Sequence, residues 1–119
     1  MFSPQVLDHF QSPRNVGDLD PADARAEVTN PVCGDVLRLT LKIEGGIIRE
    51  ARFKAQGCVP TVACGSALTE VLCGKSVADA RTLDSAEIIA VLGNVPQASM
   101  HAVGLALEAL SSALNGRDK

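Results

Sequence analysis

The sequence predicts an α+β fold in which a small antiparallel sheet packs against helices, and three observations carry that expectation. Leu37, Leu39, Leu41 and Ile43 alternate with Arg38, Thr40 and Lys42, the period-two pattern of a half-buried strand. Beyond Glu44-Gly45-Gly46, Ala51, Phe53 and Ala55 fall on one parity and Glu50, Arg52 and Lys54 on the other, so the two runs pair as a hairpin. Helical spacing precedes this hairpin once and follows it repeatedly, giving the order helix, sheet, helices.

Each element follows from local chemistry. Phe2, Val6, Leu7 and Phe10 recur at helical spacing and predict a short first helix, with His9 on its polar side as a solvated residue. The Pro, Gly and Asp residues of "SPRNVGDLDP" mark an irregular stretch. "ARAEVTN" reads as a first strand, which makes the sheet three-stranded. Cys58 comes just past the second hairpin strand. From Pro60, a residue suited to a first helical position, "PTVACGSALTEVL" reads as a helix despite Gly65 and stops near Gly74. In "DSAE", Asp84 stands as an N-cap with Glu87 three residues on, and Gly93 closes the helix "AEIIAVL". A last helix carries Val103, Leu107, Leu110 and Leu114 on one stripe, with Gly116 as its stop.

Composition bounds the function. A chain of 119 residues, 46% hydrophobic and 21% charged, is the size of one domain around one core and buries roughly two thirds of its unfolded surface. Lys+Arg 11 against Asp+Glu 14, a net charge of -3, leaves no electrostatic footprint for a phosphate backbone, so nucleic acid is not an expected partner. No apolar run approaches the ~20 residues of a membrane span, and "MFSPQVLDHF" lacks the basic region and apolar run of a signal peptide. The expected location is cytoplasmic. There Cys33, Cys58, Cys64 and Cys73 stay reduced, which favours metal binding or thiol chemistry over structural disulfides.

Three soft or borderline ligands lie at predicted element ends: Cys33 in a turn before one strand, Cys58 in the loop after another, and His101 in the opening turn of the last helix. Asp35, separated from Cys33 by Gly34, adds an oxygen. Thiolate, imidazole and carboxylate together suit zinc or iron and do not suit calcium or magnesium. The spacing C-x24-C-x42-H contains no local CxxC pair, so it identifies no metal by itself. Cys64, among Val62, Ala63, Ala67 and Leu68 inside the predicted helix, reads as a small buried hydrophobe, and Cys73 likewise as structural. Cys64 becomes an alternative ligand if that helix starts later. Gly34 and Gly57 each stand beside a candidate ligand, where positive φ lets a thiol reach inward.

"VLDHFQSPRNVGDLD", "NPVCGD", "FKAQGC" followed by "ACGSALTEVLCGKS", and "MHAVGLALEAL" occur in the order and at about the separations of the IscU/NifU/SufU iron–sulfur cluster scaffolds, and the sequence resembles that family from about residue 5 to 115. The resemblance implies an α+β sandwich with a NifU N-terminal-like arrangement, whose exposed loops assemble a transient [2Fe-2S] cluster. By the same resemblance Cys33 matches the first family cysteine, Asp35 the neighbouring aspartate, Cys58 the second cysteine and His101 the histidine of a His-Cys pair. The implied partners are a cysteine desulfurase and apo iron–sulfur recipient proteins. Such a scaffold converts no substrate alone and is not an enzyme.

Two departures qualify the resemblance. Ala102 stands where the family has its third cysteine, which leaves Cys33, Asp35, Cys58 and His101 as four ligands, and Cys33 or Cys58 to accept sulfur. Four terminal ligands suffice for a [2Fe-2S] cluster, since imidazole replaces thiolate in Rieske centres. They equally suffice for tetrahedral zinc. The stretch "LGNVPQASMH" lacks the lysine and one proline of the Leu-Pro-Pro-Val-Lys segment that a dedicated Hsp70 chaperone recognises, so that partnership is not expected. A zinc-bearing sulfur-transfer protein, a thiol redox protein and a metal-free interaction module remain the alternatives.

Overall fold

The computed structural model describes residues 2–117 and contains a three-stranded antiparallel sheet with five α-helices. In chain order these are α1 (Pro4–Gln11), β1 (Ala24–Thr29), β2 (Val36–Glu44), β3 (Ile47–Gln56), α2 (Val59–Leu72), α3 (Val77–Arg81), α4 (Ser85–Leu92) and, after a 3-10 turn at Gln97–Ser99, α5 (Met100–Arg117). Among these described residues no helix is long and apolar enough to cross a membrane.

The sheet has the order β1-β2-β3, and its register explains the alternation in the sequence. Leu37 lies opposite Val28 and Ala55, Leu39 opposite Ala26 and Phe53, and Leu41 opposite Ala24 and Ala51, so one face is apolar throughout. On the other face Arg38 lies opposite Glu27 and Lys54, with its guanidinium also 2.7 Å from Asp18. Gly45 and Gly46 turn the hairpin with φ of +59° and +76°, the left-handed pair that matches strand twist. Thr40 breaks the polar-outward rule: it is buried, and its hydroxyl accepts the Leu19 N–H at 3.0 Å, where residues 18–20 cross the sheet.

Helices cover the apolar face. α5 packs on β1 and β2, and α2 on β3, while α2 also meets α1, α4 and α5. As the central helix, α2 buries residues on nearly all sides, from Pro60 to Leu72. Gly65 lies where this helix presses on the sheet: a Cβ there would meet Phe53 Cδ2 at 2.6 Å. The Ala-rich turns of α5, with Ala102, Ala106, Ala109 and Ala113 buried beside Val103, Leu110 and Leu114, make its core face wider than the expected stripe.

Several expectations need correction. In α1 only Val6 of the apolar stripe is buried, whereas Leu7 and Phe10 are exposed at 39% and 38%. His9 is instead buried, because polar groups of α2 receive it: Nδ1 lies 2.7 Å from Ser66 Oγ and Nε2 3.2 Å from Glu70 Oε1. Burial above all, then the Arg14 charge, push its pKa down against the pull of Glu70 and Asp8. Asp84 is the N-cap residue of α4 as expected, but its side chain makes no capping bond, and Glu87 pairs with Lys75 at 3.4 Å rather than closing a capping box. Cys73 is exposed as the C-cap of α2, not buried. α5 continues through Gly116 to Arg117, a one-residue difference of the kind frayed helix ends produce. The five-residue α3, capped by Ser76 Oγ on the Asp79 N–H, is too short to show a period in the sequence.

Candidate metal centre

The loop between β1 and β2 is shaped by Asn30. Its Oδ1 accepts the N–H groups of Val32 at 2.9 Å and Cys33 at 3.4 Å, its carbonyl accepts the Gly34 N–H at 2.7 Å, and its own N–H donates to the Asp35 carbonyl at 2.8 Å. Gly34 supplies the left-handed residue at φ +76°. The result is a closed turn that presents an exposed Cys33 and directs Asp35 inward at the start of β2, where it is 6% exposed.

The second thiol comes from the junction of β3 and α2. Cys58 is the N-cap residue of α2 in extended conformation, with its side chain making no cap bond and its carbonyl accepting the Thr61 N–H at 3.1 Å. Its exposed thiol therefore stays available and donates to Asp35 Oδ2 at 3.3 Å. Gly57 precedes it at φ +154°, and a Cβ at Gly57 would lie 2.5 Å from Asp35 Oδ1. Only a glycine lets this chain pass the carboxylate so closely.

His101 opens α5. Its Nδ1 lies 3.2 Å from the Ala98 carbonyl, a partner that can only accept, so Nδ1 carries the proton and the Nε2 lone pair faces the site. Nε2 is 3.9 Å from Asp35 Oδ2 and 4.0 Å from Cys58 Sγ. Ligand atoms of Cys33, Asp35 and His101 all lie within 4.8 Å of one another. Each thiol thus completes a triad with the same carboxylate and imidazole. Hydrogen bonds from the Thr61 hydroxyl first, then from the Cys58 thiol, outweigh burial and hold the Asp35 carboxyl below the usual carboxylate range.

The four residues singled out from the sequence therefore converge from three separate stretches, while the other cysteines stand apart. Cys64 is fully buried within α2, which starts at Val59 rather than later, and burial, with a smaller effect of Cys58, pushes its thiol up to about 12. Cys73 lies at the opposite end of that helix. Ala102, in place of a third cysteine, is 1% exposed and belongs to the core. The sequence reading missed Thr61, whose hydroxyl donates to Asp35 Oδ2 at 2.7 Å, and Asn30. Asn-Pro followed by Gly is an Asx-turn signal that could have flagged Asn30, whereas a Thr in a helix's first turn gives no sign of its partner.

The family model for the NifU-like N terminal domain matches residues 1–117. The chain is 38% identical over 114 residues to iron-sulfur cluster assembly scaffold protein IscU 1 of Archaeoglobus fulgidus, covering 96% of this chain and 74% of that one. It is also 38% identical over 117 residues to the IscU scaffold protein of Azotobacter vinelandii, covering 95% and 91%. In fold it is similar to the crystal structure of a NifU-like protein (N-terminal) from Brucella abortus, with a TM-score of 0.81, 16% identity and coverage of 98% and 93%. The chain belongs to the NifU-like N-terminal domain family.

Proposed function

We propose that this chain is a scaffold on which an iron–sulfur cluster is assembled and then released to recipient proteins, with Cys33, Asp35, Cys58 and His101 as the ligands. The observation that carries this reading is the convergence of two exposed thiols, one oriented imidazole and one buried carboxylate at the ends of different elements. Thiolate and imidazole are ligands that iron–sulfur centres use, and four terminal ligands satisfy the two irons of a [2Fe-2S] unit. Relatives at 38% identity bear the name of cluster assembly scaffolds.

Sulfur comes from a cysteine desulfurase in this reading. A Cys33 or Cys58 thiolate attacks the outer sulfur of the donor persulfide; a new S–S bond forms as the donor's breaks, and the donor departs as a thiolate with no net redox change. Two electrons per sulfur from an external donor then yield sulfide. With alanine at 102, no third thiol shares this role. Asp35 is the single oxygen ligand, and its weaker bond to iron favours exchange when the cluster moves to an apo-protein. The chain binds and hands on, and we assign it no turnover of its own.

A second reading, resident zinc in the same site, is favoured by the spacing of the ligand atoms. Bonds of about 2.0–2.3 Å place tetrahedral ligands about 3.3–3.8 Å apart. Separations of 3.3, 3.9 and 4.0 Å among Cys58, Asp35 and His101 are close to that. Purification without oxygen, followed by measurement of iron, zinc and acid-labile sulfide per chain, separates the two. Iron and sulfide in near-equal amounts support the scaffold; zinc without sulfide supports the second reading.

A further inference from the structure

The buried carboxylate at the centre of the site is held by a residue outside the four candidate ligands. Thr61, in the first turn of α2 and 1% exposed, donates its hydroxyl proton to Asp35 Oδ2 at 2.7 Å, and its oxygen lies 3.3 Å from Cys58 Sγ. A helical threonine commonly turns its hydroxyl to a carbonyl of the preceding turn. Thr69 in the same helix does so, donating to the Ser66 carbonyl at 2.8 Å. Thr61 does not, and its hydroxyl is aimed at two candidate ligands instead. Opposite it, Asp35 Oδ1 fills the space that a Cβ on Gly57 would need, 2.5 Å from where that atom would sit. The carboxylate is thus fixed on both sides, by a hydroxyl at one oxygen and a bare backbone at the other.

We propose that Thr61 is the positioning residue of this site: its hydroxyl sets the orientation of Asp35 relative to Cys58 and His101, and so sets how tightly a divalent metal is held. The inference rests on the reading of these residues as a metal centre. Its physical basis is that a ligating carboxylate is oriented by its own hydrogen-bond partners, whose removal typically weakens metal binding by about 10–100-fold. Thr61 suits the task because a β-branched side chain inside a helix has few χ1 options, so its hydroxyl is already aimed before metal arrives. Valine has nearly the same shape and lacks the donor, so Thr61→Val removes the hydrogen bond and keeps the packing.

The test is the Zn(II) affinity of the full apo-chain, measured by competition with a chromophoric chelator, alongside the melting temperature of each apo-variant. Thr61→Val and, as a second probe should valine disturb folding, Thr61→Ala are expected to weaken Zn(II) binding by about 10–100-fold. Thr61→Ser keeps the hydroxyl and retains the parent affinity. In an Asp35→Ala background, where Cys33, Cys58 and His101 remain, Thr61→Val causes no further loss; a merely structural role for Thr61 would weaken binding there as well. Parent-like affinity in Thr61→Val and Thr61→Ala overturns the inference while leaving the metal-centre reading intact, and so does an equal loss with and without Asp35. Failure of the parent chain itself to bind Zn(II) overturns that reading together with the inference.

Discussion

Gly57 and the residues it touches show how narrowly the site is built. A methyl at position 57 would meet the Asp35 carboxylate at 2.5 Å on a backbone with φ of +154°, so Gly57→Ala must displace either the carboxylate or the chain. Its apo-form is expected to lose about 1–3 kcal/mol in urea denaturation, together with metal affinity. Removal of a candidate ligand acts differently. Cys33→Ser, Cys58→Ser or His101→Ala takes away a donor at an exposed position, so folding should change little while bound metal falls at least about tenfold; metal content per chain checks this. At this scale the sequence displayed the donors but not what holds them. Cys33, Asp35, Cys58 and His101 are legible because few side chains offer sulfur, imidazole or carboxylate chemistry. Thr61 is not, since a hydroxyl acquires its meaning only from the partner it faces across 26 positions of chain.

Among the elements, α2 governs the rest. Alanine normally stabilises a helix interior over glycine by about 1 kcal/mol, yet at Gly65 a Cβ would meet Phe53 at 2.6 Å and Leu37 at 3.0 Å. Overpacking should win: Gly65→Ala is expected to lower stability by about 1–3 kcal/mol, read as a reduced urea midpoint at unchanged m-value. On its other side α2 holds α1 through Ser66, whose hydroxyl meets both His9 Nδ1 at 2.7 Å and the Arg14 N–H at 2.9 Å. Because the native pKa of His9 is depressed below the unfolded histidine value of about 6.5, the unfolded chain binds the proton more readily. The contribution of His9 is therefore full above that value and is lost as pH falls through the native one. Stability measured from pH 7 downward should fall in that window, and His9→Gln should flatten the fall. Sequence periodicity placed α1 correctly but misassigned its faces, because an isolated amphipathic helix does not reveal that its neighbour offers Ser66 and Glu70 rather than leucines.

For the whole molecule, a metal in the proposed site would link loops that the fold leaves at its surface. The candidate ligands Cys33 and Asp35 lead into β2, Cys58 leads into α2 and His101 lies in the first turn of α5, so an ion held by them would tie all three elements together. Binding to the native state alone should stabilise it by about 2.7 kcal/mol at a free metal concentration 100 times Kd, so Zn(II) should raise the melting temperature and a chelator should reverse the rise. The double variant Cys33→Ser/Cys58→Ser should lose this response entirely. The sequence by itself determined the α+β order, the hairpin at Gly45-Gly46, the helix stops at Gly74 and Gly93, and the four residues proposed as metal donors. Those features depend on local periodicity, backbone freedom and side-chain chemistry, which are properties of neighbouring positions along the chain. Only the tertiary structure decided that His9 is buried and Leu7 exposed, and that Thr61 and Gly57 clasp Asp35 from two sides. Those are contacts between residues distant in sequence, set by how α2 seats against the sheet and α1, and no local pattern encodes them.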